Sequence, residues 1–311
     1  MMAALAFVLA VASTRTPYPI VGILPSMQLR AQWPSAVPIP YGEWGPMVSA
    51  VSAVALDATS GTLLWGKQPY TRRPLASTTK LLTAIAVLRA QMPFDAMATV
   101  RSEDLPPEGH TILHVDDRVR VGDLLTAMLV YSDNGAARVL GRTQLAASPA
   151  DVVPGAMALR AVARSLGART VQIMDPAGLD PRNLGSAMDV ALLLRAALAQ
   201  VELRDRLTLA EAIIPVQRGD RTVMVPVRST NALLHTGGAR TFQLRGAKTG
   251  YIDESGYNLA LAVSRDREGV VVLVLLGSPS SDDRFRDARV LADWILSASA
   301  TNDARVPVGQ Y

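Results

Sequence analysis

Lysine is scarce in this chain: of 31 lysines and arginines, only Lys67, Lys80 and Lys248 are lysine. Arginine serves as a surface cation as well as lysine does, but it does not give up its proton. A lysine kept in an arginine-rich chain marks a position that needs a compact or deprotonatable amine. Two of the three stand in short motifs, Ser77-Thr78-Thr79-Lys80 and Lys248-Thr249-Gly250. A third motif, Tyr131-Ser132-Asp133-Asn134-Gly135, lies between them. Together they have the makings of an acyl-transfer site built on serine and lysine.

Ser77 and Lys80, three apart on a helix, share one face, so hydroxyl and amine can meet. At a helix N-terminus Ser77 gains from backbone N–H groups and the dipole, which favour developing negative charge. Lys80 enters an apolar helix, where burial disfavours the ammonium form. A neutral amine there can take the serine proton and activate a weak nucleophile. Alone, each motif has an ordinary alternative: Ser77 as an N-cap, and Ser132-Asp133-Asn134-Gly135 as a turn. Lys248-Thr249-Gly250 precedes an apolar strand pair, where glycine admits a close backbone approach and lysine with a hydroxyl can bind a carboxylate. It is not a nucleotide-binding loop, because Phe242 and Ala247 occupy the two glycine positions that loop requires and no helix follows.

Other chemistries lack their parts. With no cysteine there is no thiol nucleophile, zinc–thiolate site or disulfide. The three histidines, His110, His114 and His235, have no metal-ligand spacing, and no Gly-x-Ser-x-Gly elbow accompanies them. Neither a metal nor a cofactor is expected. The net charge of +4 is scattered rather than gathered in a stripe, which argues against nucleic acid as a partner.

Several elements must position these motifs. Strands are expected over residues 49–56 and 62–66, with a turn between them. A buried helix opens near Ser77 and ends before Pro93. Helices over 121–130, 152–166 and 187–203 follow, the last starting on a Ser186/Asp189 capping box. Strands over 258–264 and 270–276 flank a charged turn, and a closing helix covers 282–296. Strands at both ends around a helical middle predict an α+β fold: an antiparallel sheet flanked by helices, plus an all-helical lobe at about 90–225, with the active site in the cleft between them. Residues 1–12 form an apolar run too short to span a bilayer, ending in Ala10-Val11-Ala12, the small-x-small form of a cleavage site, although no Lys or Arg precedes it. The expected organisation is an export segment and Pro-rich linker over 1–45, a catalytic domain over 46–300 and a polar tail over 301–311.

The order Ser-x-x-Lys, Ser-Asp-Asn, Lys-Thr-Gly is a signature of class A β-lactamases and penicillin-binding proteins. The flanking segments narrow the match. Arg72-Arg73-Pro74-Leu75-Ala76-Ser77, Gly178-Leu179-Asp180, Ser186-Ala187-Met188-Asp189, Thr230-Asn231-Ala232-Leu233-Leu234 and Ser255-Gly256-Tyr257-Asn258 make the chain resemble the D-alanyl-D-alanine carboxypeptidases over roughly residues 46–297. These are the low-molecular-mass penicillin-binding proteins.

The resemblance implies a β-lactamase/D,D-peptidase-like fold and a set of roles. Ser77 would attack the D-Ala–D-Ala carbonyl of peptidoglycan stem peptides, with Lys80 as general base. Ser132 and Lys248 would return the proton to the leaving amine. Asn134 would hold the substrate amide, Thr249 the terminal carboxylate, and the N–H groups of Ser77 and Tyr251 the oxyanion beside Gly250. The activity implied is a penicillin-sensitive D,D-carboxypeptidase acting outside the cytoplasmic membrane. β-Lactams would be covalent inhibitors, and any membrane association would run through the N-terminal apolar segment. A D,D-endopeptidase acting on crosslinks would use the same site. A class A-like β-lactamase would need a deacylating glutamate, and Glu202 and Glu211, the only glutamates between Asn134 and Lys248, stand in unsuitable contexts.

Overall fold

A computed structural model describes residues 45–107, 110–145, 155–235, 241–265 and 269–300. Of the two units into which the chain divides, Met1–Gln32 lies wholly outside the described residues, and Trp33–Tyr311 carries everything below. The apolar run, most of the Pro-rich stretch and the polar tail also lie outside them, as do residues 152–154 of one expected helix.

β1 (Ser52–Asp57) and β2 (Leu63–Lys67) form a hairpin. Asp57 closes its turn by accepting the Ser60 N–H at 2.6 Å, and Gly61 takes the left-handed φ of +78°. The short β3 (Arg73–Pro74) leads into a 3₁₀ turn, Ala76–Thr78, and the central helix α1 (Thr79–Arg89). β4 (Met97–Thr99) and β5 (Arg118–Arg120) then lead to α2 (Val121–Thr126), a wider π turn at Ala127–Tyr131, and α3 (Asn134–Leu140). α4 (Ala156–Ser165) stops at Gly167, whose φ of +82° suits a helix C-terminus. β6 (Leu184–Gly185) pairs with β3, and α5 (Ala187–Leu198) opens on the expected Ser186/Asp189 capping box. α6 (Val201–Leu207), the hairpin β7 (Glu211–Arg218)–β8 (Arg221–Arg228), then β9 (Gln243–Ile252), β10 (Gly256–Ser264), β11 (Val271–Ser278) and α7 (Ser281–Ala300) complete the order.

The main sheet is antiparallel, in the order β2-β1-β11-β10-β9, with β9 on its edge. Alternation at period two decides what each face buries. Val54, Leu56, Ala260, Ala262, Val272, Val274 and Leu276 join the core shared with α1 and α5. Ala53, Ala55, Leu259, Leu261, Val263, Val271, Leu273 and Leu275 point the other way, into the core under α7. α1 has nine buried residues in eleven, Thr79 to Val87, so it runs through the protein rather than along its surface.

The α+β class is as the sequence implied, with three local differences. The middle lobe is not all-helical: β4, β5, β7 and β8 form a four-stranded sheet. Its main hairpin turns at Gly219-Asp220, a two-residue turn signal, but Pro215 and Pro226 interrupt both strands and weaken the strand pattern. The helix expected over 187–203 breaks between α5 and α6, where Gln200 is extended (φ −102°, ψ 118°). Neither Ala199 nor Gln200 is a helix breaker, so propensity carried no warning. The helix expected over 121–130 widens into the π turn, and that widening delivers Ser132.

Candidate active site

Ser77 does not open a regular α-helix. It sits in the 3₁₀ turn that runs straight into α1, and Lys80 in the first turn of α1 places its Nζ 2.7 Å from Ser77 Oγ. The turn is fixed from two sides. Asn258 on β10 donates to the carbonyls of Pro74 and Leu75, both at 3.1 Å, and the Leu75 N–H donates to the Asn183 carbonyl at 2.8 Å. Ala76 is held at φ +47°, a conformation that costs a non-glycine residue roughly 1–3 kcal/mol. Gly178 packs against it so closely that a Cβ there would lie 1.9 Å from the Ala76 carbonyl oxygen, so this position admits only glycine.

Lys80 is fully buried, and burial pushes its amine down to about 7, against the raising influence of the Asp175 and Asp133 carboxylates. Besides Ser77 it meets Asn134 Oδ1 and the Ala177 carbonyl, each at 2.7 Å. Those two partners can only accept. A neutral amine therefore spends both N–H donors on them and turns its lone pair to Ser77, the one partner able to donate. Ala177 is held in place by Asp175, whose carboxylate accepts the N–H groups of Ala177, Gly178 and Asp180 at 2.7–2.8 Å.

After the π turn, Ser132 adopts φ +66°, and Asp133 caps α3 by accepting the Ala136 N–H at 2.8 Å. This left-handed step sends Asn134 to Lys80 and Ser132 Oγ to Lys248 Nζ, 2.8 Å away. Lys248 on β9 is also buried. Burial first, then the charges of Lys80 and Arg284, push its amine well below the usual lysine range. Thr249 is buried beside it, with its hydroxyl against that of Thr230. Tyr251 is half-exposed and tilted over Tyr257, its hydroxyl donating to Asp253 Oδ1 at 2.6 Å.

Gly250 lets β9 pass over the Ser77 turn. A Cβ there would stand 3.1 Å from both the Ser77 and Thr78 nitrogens. Gly250→Ala is expected to push the strand away by a few tenths of an ångström. Acylation by benzylpenicillin should then slow roughly tenfold to a hundredfold while the melting temperature hardly moves. A variant acylated at the wild-type rate would show that this approach does not matter to the site.

All eight residues singled out from the motifs come together: Ser77, Lys80, Ser132 and Asn134 meet Lys248, Thr249, Gly250 and Tyr251 from three separate segments. The remaining lysine, Lys67, donates to the carbonyls of Val48 and Ala50 at 2.9 and 2.7 Å and has a structural post. Glu211 is exposed and paired with Arg228, and Glu202 lies in the first turn of α6. Sequence reasoning missed Asp175 and Arg284. The first had a signal, since Asp-Pro-Ala-Gly is turn chemistry. The second had none: Arg284 reads as part of a charged helix face, yet its side chain is buried, donating to the carbonyls of Gly250 and Asn258 at 3.2 and 3.3 Å.

The family model Peptidase_S11, described as D-alanyl-D-alanine carboxypeptidase, matches residues 41–280. A D-alanyl-D-alanine endopeptidase of Pseudomonas aeruginosa is 30% identical over 257 residues, covering 80% of this chain and 78% of that protein. The D-alanyl-D-alanine carboxypeptidase DacA of Haemophilus influenzae is 24% identical over 270 residues, 84% of this chain and 65% of that one. Among solved structures, a point mutant of the Streptomyces K15 DD-transpeptidase superposes with a TM-score of 0.72 at 25% identity, over 78% of this chain and 96% of that one.

Proposed function

This chain belongs to the D-alanyl-D-alanine carboxypeptidase family, serine D,D-peptidases of peptidoglycan, and from that premise we propose that it is a D,D-endopeptidase that opens peptide crosslinks through an acyl-enzyme on Ser77. The observation that carries the chemistry is the 2.7 Å contact between Ser77 Oγ and a buried Lys80 amine whose other two partners only accept.

Ser77 Oγ attacks the D-alanyl carbonyl as Lys80 takes its proton. The N–H groups of Ser77 and Tyr251 hold the oxyanion. The C–N bond breaks, and Ser132 with Lys248 returns a proton to the leaving amine. Asn134 binds the substrate amide, and Thr249 its carboxylate. Water then attacks the ester and frees Ser77. β9, an edge strand, offers unpaired backbone groups along which an extended peptide can lie. β-Lactams acylate the same serine. The site works on the cell-wall side of the membrane, where peptidoglycan is, and residues 46–300 form the catalytic domain.

The crosslink reading is favoured by the Pseudomonas endopeptidase, which is the more similar of the two relatives and is matched over more of its own length. Terminal D-Ala removal is the second reading, supported by the carboxypeptidase relative. Purified crosslinked dimer peptides and monomeric pentapeptides, offered together, separate the two. Faster conversion of dimers to monomers is expected; free D-alanine appearing with intact dimers would give the carboxypeptidase reading.

A further inference from the structure

Ser132 and Asn134 reach their lysines only because the chain turns left-handed between the π turn and α3, and a segment outside the three motifs grips that turn. The Asn134 N–H donates to the His110 carbonyl at 3.2 Å. His110 Nε2 bonds to the Tyr131 carbonyl at 2.8 Å, with its ring edge-on to the Tyr131 ring at 4.7 Å. Thr111 Oγ1 donates to Asp133 Oδ1 at 2.8 Å, and the Ile112 N–H to Asp133 Oδ2 at 2.7 Å. The Leu113 N–H in turn donates to Thr111 Oγ1 at 3.2 Å, so that hydroxyl is fixed as acceptor and donor at once. The fit is close: a Cβ on Gly135 would fall 2.5 Å from Thr111 Oγ1. Every residue from Tyr131 to Asn134 except Ser132 is thus tied to 110–112. Ser132 is the residue at φ +66°, which the ties on either side hold in place.

We infer that Thr111, with His110, is a positioning residue for acyl transfer: it holds the Asp133 carboxylate and through it sets Ser132 against Lys248 and Asn134 against Lys80. Neither residue touches the reacting atoms. Their effect is on geometry, where a displacement of a few tenths of an ångström already costs rate. The inference rests on the acyl-enzyme reading of Ser77.

The test is the rate of covalent labelling by benzylpenicillin, normalised to folded protein, for wild type, Thr111→Val and Thr111→Ser. Valine keeps the shape and removes the hydroxyl bonds; serine restores them. Thr111→Val should label about tenfold more slowly, from the loss of its hydrogen bond to the Asp133 side chain. Thr111→Ser should return to within about twofold of wild type, because rate follows the hydroxyl rather than the packing. Wild-type rate in Thr111→Val, or an equal loss in Thr111→Ser, overturns the inference while leaving Ser77 intact. No labelling of the wild type overturns the acyl-enzyme reading, and this one with it. If Thr111→Val does not melt cooperatively, His110→Phe carries the test: it keeps the ring contact, loses the bond to Tyr131, and should slow labelling severalfold, whereas an unchanged rate again refutes the inference.

Discussion

Mixed with benzylpenicillin, the Ser77→Ala protein is expected to keep its unmodified mass, while the wild type gains a single penicilloyl group that persists. Two serines in the site have a lysine partner, and geometry separates them. Ser77 is half-buried, stands in the turn into α1, and lies 2.7 Å from Lys80 Nζ, whose other two partners only accept. Ser132 is 4% exposed, in a left-handed turn, and accepts a hydrogen bond from Lys248. Only the first combines access, a base and backbone N–H groups that favour developing charge. Removing it should lower the acylation rate by on the order of 10⁴-fold or more, since no other group among the described residues assembles these parts. An adduct that persists in Ser77→Ala and maps to Ser132 would exchange the roles of the two serines.

How much of this was legible in the sequence depends on the range of each interaction. The motif residues could be read because their chemistry is local: a serine and a lysine three apart, a Ser-Asp-Asn turn, a glycine beside a lysine and a threonine. Four strands of the main sheet could be read because their apolar runs are short, continuous and bounded by turn residues, whereas β9, with Arg245 and Lys248 in it beside Gly246 and Gly250, had no such run. What stayed hidden was set by tertiary contact. Arg284 lies on a helix whose charges predict a solvated face, and only the packing of α7 on the sheet turns it inward to Gly250 and Asn258. The break between α5 and α6 occurs in residues with good helix propensity. The β7–β8 hairpin carried a turn signal, but its two prolines argued against strands; Pro226 lies on the edge strand β8, and β5 pairs with β7 only at Gln217, which leaves Pro215 outside that ladder. The grip of residues 110–112 on the Ser132 turn spans more than twenty positions and leaves no local trace.

Lys80→Arg tests the base itself, and its expected effect is a loss of roughly 10³-fold in acylation, within the range that a positioned general base contributes. The substitution keeps a positive charge and two of the donors but removes the lone pair, because guanidinium does not deprotonate. It also forces a larger planar group into a fully buried position. The pH profile of the wild type separates those two effects. With the usual lysine value of 10.5, only about one molecule in three thousand would hold a neutral amine at pH 7. Burial lowers the value to about 7, which makes the neutral amine a substantial population near neutral pH. In the proposed mechanism neutral Lys80 is the active form, and a lowered pKa extends it to lower pH. Wild-type acylation should therefore rise about tenfold per pH unit below 7 and level off above it. Lys80→Arg should show a flat residual rate over the same range, since the guanidinium in its place does not titrate there. A steric defect alone would keep the wild-type slope at a reduced height, and that outcome, or a near-normal rate in the variant, would remove Lys80 as the base. A wild-type rate still climbing beyond pH 9 would mean instead that the carboxylates of Asp175 and Asp133 outweigh burial and keep the amine charged.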